Sequence, residues 1–201
     1  KWAKVWENPL KNKNFLINFL QGTFSETENK SYKNLSLDVM MEETVKCAMM
    51  FTSCNIKEMD DFKKIAEEAL PNHRIEVLNS DETSNRETQN KIKQSINEAK
   101  RDKQKGLLII TNTMGSRSFS ISEVQASLIC YDKGNLWTLM QKMYRCLTPE
   151  YLWNKEKKQK GYIVTYSINP NRDDRFINIL TEECVRESES TGEEFDEVTK
   201  Q

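Results

Sequence analysis

Apolar residues along this chain fall into two patterns: short runs of a few residues, and longer stretches where they recur every third or fourth position. Leu107–Thr111 shows the first pattern most clearly, being apolar, rich in β-branched residues and bounded by polar ones. Such a run predicts a strand buried on both sheet faces. Cys47–Thr52, Arg74–Leu78, Val124–Tyr131 and Tyr162–Ser167 read the same way. The second pattern predicts helices. Phe15, Leu16, Phe19 and Leu20 put one apolar face on a helix over Pro9–Gln21, and Met59, Phe62, Ile65, Ala66 and Ala69 do so over Ile56–Leu70. Ser53 or Asn55 is the expected cap of that second helix, and Pro71–Asn72 ends it. Further helices are expected over Leu35–Val45, after the polar loop Asn79–Arg86 to about Asp102, over Leu136–Leu147 and over Asp173–Arg186.

Strands alternating with helices predict a three-layer α/β domain with a parallel sheet and right-handed crossovers. The expected organisation is a helical extension over 1–42, the α/β domain over 43–181, and an acidic tail over 182–201 that reads as disordered.

Charge and composition narrow the field. The chain has 201 residues, 30% charged and 37% hydrophobic, enough for one ordinary domain with extensions. No run approaches the roughly 18 apolar residues of a membrane span, and no signal-peptide pattern stands at the start. The first residue is Lys1, which reads as a piece of something longer. The net charge of −1 hides an asymmetry, because residues 182–201 carry eight acidic side chains against Arg186 and Lys200. The rest carries 28 basic and 23 acidic residues, about +5, which suits a nucleic-acid-binding body as well as an ordinary solvated surface. Cys47, Cys54, Cys130, Cys146 and Cys184 form no C-x-x-C pair, which fits a reducing cytoplasm better than a disulfide framework. With His73 as the single histidine, zinc or histidine-based catalysis is not expected.

Gly106–Pro149 holds the chemistry. Its polar segment Asn112–Ser120 follows one predicted strand, and a helix bearing Gln141 and Arg145 follows another. Open parallel sheets bind ligands outside the carboxyl ends of their strands. TNTMGSRSFSI (Thr111–Ile121) resembles motif V of superfamily-two helicases and translocases, the nucleic-acid motors driven by ATP. QKMYRCLTP (Gln141–Pro149) resembles their motif VI, usually Q-x-x-G-R-x-x-R, and AMMFTSCNIKEMDDF (Ala48–Phe62) resembles motif IV. The resemblance covers roughly residues 43–180, lies nearest the phage and restriction-enzyme branch, and is to the second RecA-like domain of these motors. It implies a RecA-like, P-loop NTPase-type parallel sheet.

The resemblance also implies roles. Arg145 matches the G-R arginine of motif VI and is expected to contact the nucleotide, with Gln141 beside it. Thr52 and Ser53 of motif IV, and Thr111 and Thr113 of motif V, are expected at the nucleic-acid backbone. Gly115 permits a close approach, Ser120 stands where many members carry Asp near the nucleotide, and Arg117 can meet either phosphate. ATP and Mg2+ are expected to be held mainly by a first RecA-like domain of the same parent protein. The other partner is a nucleic acid, taken as DNA, with no membrane and a cytoplasmic setting, the host's if the source is viral. None of the six glycines begins a G-x-x-x-x-G-K-[ST] loop and no D-E-x-H box is present, so this chain alone is expected to be inactive as an ATPase. Two positions depart from motif VI: Tyr144 replaces its glycine and Thr148 its final arginine. Either Arg145 suffices, Lys142 or Arg117 substitutes, or the site is degenerate. Three readings stay open: a motor domain, a non-catalytic RecA-like binding module, and an unrelated α/β domain.

Overall fold

The computed structural model describes residues 8–21, 45–78, 85–112, 121–130, 136–148, 158 and 160–165. The apolar runs form strands β1 (Cys47–Phe51), β2 (His73–Leu78), β3 (Gly106–Thr111), β4 (Ala126–Ile129) and β5 (Tyr162–Thr165). All pair in parallel, in the order β2-β3-β1-β4-β5. Met49 at the centre of β1 pairs with Ile109 on one side and Ser127 on the other.

Alternation along each strand divides the residues between two faces. Ala48, Met50, Ile75, Val77, Leu108, Ile110, Ala126 and Leu128 turn to one face. Helices α1 (Lys13–Gln21) and α2 (Ile56–Ala69) cover it, contributing Leu16, Phe19, Leu20, Met59, Phe62, Ile65 and Ala66 to a single core. Met49, Phe51, Leu107, Ile109 and Ile129 turn the other way. There α3 (Asn85–Arg101) packs Ile92, Ile96 and Ala99 beside β2 and β3, and α4 (Leu136–Met143) packs Leu139 and Met143 beside β4. The result is the three-layer α/β architecture with a helical extension that the pattern predicts. Through Leu16, Phe19 and Leu20, the described part of the extension, residues 8–21, packs into the core.

Two connections set the topology. From β1 the chain crosses through α2 to the far edge at β2, then returns through α3 over the opposite face to β3. Opposite travel over opposite faces gives both crossovers the same hand, as right-handed βαβ units require.

Local differences from the sequence reading have physical causes. The first helix starts as a 3-10 turn, Pro9–Asn12, which places Pro9 where its missing N–H costs nothing. The helix expected over Leu136–Leu147 is α-helical only to Met143 and tightens into a 3-10 turn, Tyr144–Cys146, with Leu147 N–H donating to Tyr144 O at 3.0 Å. Gly161, leading into β5, passes against that turn. A Cβ there would collide with the Cys146 carbonyl oxygen and approach Leu147 Cδ2 to 2.8 Å.

The chain divides after Ser167, and every described residue lies in the first unit. The helices expected over Leu35–Val45 (apart from Val45) and Asp173–Arg186, and the acidic tail, lie outside the described residues. Among the described residues, no helix is long and apolar enough to cross a membrane.

Candidate functional site

A doubly wound sheet opens a crevice where neighbouring strands send their connections to opposite faces. Here that point is the carboxyl end of β1 and β4: β1 leads to α2 on the first face, and β4 leads to α4 on the second. β3 ends alongside, on the other flank of β1. The segments resembling motifs IV, V and VI follow these three strand ends.

Thr52 extends the β1 ladder rather than opening a helix. Its N–H donates to Thr111 O at 2.9 Å, and its buried Oγ1 accepts the Cys54 N–H at 3.2 Å and lies 4.0 Å from Met59 Sδ. The helix begins later, and Asn55 rather than Ser53 caps it. Asn55 Oδ1 accepts the Glu58 N–H at 3.1 Å, and Glu58 Oε2 accepts the Asn55 N–H at 3.0 Å. This capping box satisfies two backbone donors that a phosphate would otherwise take. It also sets a carboxylate at the positive end of the helix, where the macrodipole favours negative charge. Thr52, expected at the nucleic-acid backbone, has its N–H in the sheet instead, and the helix starts at Ile56, three residues beyond Ser53. Ser53 itself is half-exposed at the crevice rim.

At the end of β3, Thr111 is buried, and its hydroxyl lies within reach of Leu78 O at 3.4 Å and Asn112 O at 3.3 Å. Asn112 is half-exposed. Thr113, Gly115, Arg117 and Ser120 lie outside the described residues. At the end of β4, Cys130 N–H donates to Phe51 O at 3.1 Å, closing the ladder on that side.

On α4 and the turn after it, Leu139, Lys142, Met143 and Cys146 form the buried stripe, while Gln141 and Tyr144 face outward. Lys142 is fully buried, its ammonium 5.9 Å from the centroid of Phe51, the last residue of β1. Such a contact stabilises a cation through the ring quadrupole. Arg145 is half-buried in the 3-10 turn, about one helical turn further along, and desolvation pulls its guanidinium below the ordinary arginine value. The two cations thus occupy different places. Lys142 lies against the carboxyl end of β1, and Arg145 lies further from it.

At all four described cysteines, burial disfavours the thiolate. Burial raises Cys54 to about 11 and holds Cys47, Cys130 and Cys146 above the usual thiol value, so the nucleophilic thiolate is suppressed near neutrality. His73 stands at the start of β2, at the sheet's far edge from the crevice. Among the described residues, no group of His, Cys, Asp and Glu could hold a metal ion.

Sequence reading did not single out Phe51 or Asn112 as site residues, whereas Asn55 was one of the two caps it offered for α2. Asn55 was legible through its spacing to Glu58, the capping-box signature. Phe51 and Asn112 carry no such signal, since only strand pairing brings them to the crevice. No protein-family model matches the chain, and no curated protein matches its sequence.

Proposed function

We propose that this chain is the second RecA-like domain of an ATP-dependent nucleic-acid helicase or translocase. It grips the backbone of DNA and presents a cation to ATP and Mg2+ held by a first RecA-like domain of the same parent protein. One observation supports the reading: β1, β3 and β4, the strands that precede the three motif-like segments along the chain, are neighbours in one parallel sheet whose switch point lies between β1 and β4. In this reading Ser53 and Asn112 form the described rim of the crevice, Thr113, Gly115 and Arg117 are proposed contacts to the DNA backbone, and Ser120 is a proposed nucleotide contact. Arg145 faces the nucleotide with Gln141 beside it, and Lys142 adds positive charge from beneath. A cation aimed at a transferring phosphoryl group stabilises charge that develops in the transition state. The buried free thiols suit a reducing cytoplasm.

The reading is tested by DNA-stimulated ATP hydrolysis in the parent protein, wild type beside Arg145→Ala. A loss of about 10³-fold in kcat with DNA binding retained is the expected result for an arginine acting on the phosphates. Hydrolysis that is absent, or unchanged in the variant, favours a non-catalytic RecA-like binding module instead. That second reading draws on a specific observation: Lys142 is sequestered, while Tyr144 and Thr148 occupy the motif's glycine and final arginine positions.

A further inference from the structure

A second cleft lies away from the crevice. It encloses about 360 Å³ at the outer edge of β2 and is lined by Lys63, Glu67, His73, Arg74, Ile75 and Glu76, with Pro71 and Gln104. Successive strand residues point to opposite faces, so a groove touching all four of His73–Glu76 meets the strand edge-on. Within the described sheet β2 pairs only with β3.

Backbone directions along that edge are readable. His73 N–H turns back to Leu70 O at 3.0 Å, and Val77 O receives Lys91 Nζ at 3.2 Å. Odd-numbered residues of β2 therefore turn their backbone groups away from β3, and the N–H and C=O of Ile75, midway between, point out of the sheet. The side chains alternate too: Ile75 and Val77 lie on the apolar first face, whereas Arg74 and Glu76 lie on the second, 3.4 Å from each other, with Arg74 also against Glu98 at 2.5 Å and Glu76 against Lys91 at 3.7 Å.

We infer that this edge is a self-association surface, and that its occupant is β2 of a second copy of this chain, running antiparallel about a two-fold axis through Ile75. Charge complementarity selects that occupant. Centring the pair on Ile75 makes the two Ile75 residues a hydrogen-bonded pair that exchanges both N–H···O=C bonds, and puts Arg74 opposite Glu76 of the other copy, twice. Residues in such non-hydrogen-bonded positions have the closest side chains in an antiparallel ladder, and opposite charges there stabilise while like charges repel. The same axis brings Lys63 of one α2 toward Glu67 of the other. A two-fold interface requires this self-complementarity, since each patch meets itself. Charged residues on an edge deter unselective strand addition, so the Arg74/Glu76 alternation admits one register and discourages the rest. Arg74 already meets Glu76 and Glu98 of its own chain and has donors to spare for a third carboxylate, since a guanidinium carries five.

The test is sedimentation equilibrium of the full 201-residue chain up to about 200 µM, a range that detects the weak association expected of a small interface. The wild type is expected to approach twice its 23.6 kDa mass. Arg74→Glu and Glu76→Arg each place like charges opposite one another and raise the dissociation constant by about tenfold or more. An equimolar mixture of the two restores opposite charges across the axis and recovers a heterodimer, which also shows that both variants fold. Ile75→Pro deletes the outward N–H without touching the bonds to β3, a substitution edge strands accept. It is expected to keep the circular dichroism of the parent and to stay monomeric, and it decides the matter if the charge variants do not fold. A wild-type mass that stays at one chain, dimers that persist in a folded variant, or folded charge variants whose mixture does not reassociate would overturn the proposal.

Discussion

The two faces of the sheet do different work. The first, under α1 and α2, is an aliphatic and aromatic core whose strand residues are apolar from Ala48 to Leu128. The second carries buried polar groups among its apolar ones: Glu76 and Ser127 from the strands, Thr88 and Ser95 from α3, and Lys142 from α4. A charge withdrawn from water costs several kcal/mol unless it is compensated, and the Phe51 ring faces the Lys142 ammonium at 5.9 Å. The first face is thus an apolar core, and the second combines apolar packing with buried polar groups such as Glu76, which is paired with Arg74 and Lys91.

That contrast can be broken experimentally. The largest effect is expected on the first face, where Phe62→Ala should lower unfolding free energy by about 4 kcal/mol in a denaturant titration, because it empties a fully buried aromatic site. A much smaller loss would mean the first face is not the dominant core. Alkaline pH sharpens the contrast. Cys54 on the first face is raised to about 11, so the unfolded chain sheds this proton near pH 9.0 while the folded chain keeps it. Stability from this group is complete below pH 9 and falls as pH rises toward 11, by up to about 1.4 kcal/mol per pH unit. Cys146 on the second face donates to Met143 O at 3.2 Å and lies beside Ser127, whose hydrogen bond opposes the desolvation. Cys54→Ala should accordingly remove more of the alkaline loss than Cys146→Ala, and equal effects would erase the distinction.

Lys142→Met is expected to stay within about 1 kcal/mol of the parent, since a buried cation replaced by an apolar side chain of similar length removes desolvation cost together with attraction. A loss as large as that of Phe62→Ala would make Lys142 a structural member of the core. The smallest effect concerns the end of α3. Lys103 is the one non-glycine residue with positive φ among the described residues, at 54°, where a side chain crowds the backbone. Lys103→Gly should stabilise by about 0.5 kcal/mol, read as a small rise in Tm.

Much of the fold was legible because its signals are local. The apolar runs at Met49 and Ile109 and the helical spacing of Met59, Phe62 and Ala66 gave element type and approximate bounds. The candidate site was less so. Lys142 and Gln141 are adjacent in sequence, yet one is buried against Phe51 and the other exposed, and nothing short of the packed helix distinguishes them. Thr52 and Ser53 looked equivalent until the bond from Thr52 to Thr111 drew one of them into the ladder.

What the sequence alone determined is the alternation of strand and helix, the absence of a Walker-type loop and the scattering of cysteines, since each depends on residues close along the chain or on composition. Only the tertiary structure decided the strand order, the location of the crevice between β1 and β4, the burial of Lys142 and the edge position of β2. These depend on pairings between residues far apart in sequence, such as Met49 with Ser127, where the choice among parallel partners rests on how whole faces pack rather than on any single segment.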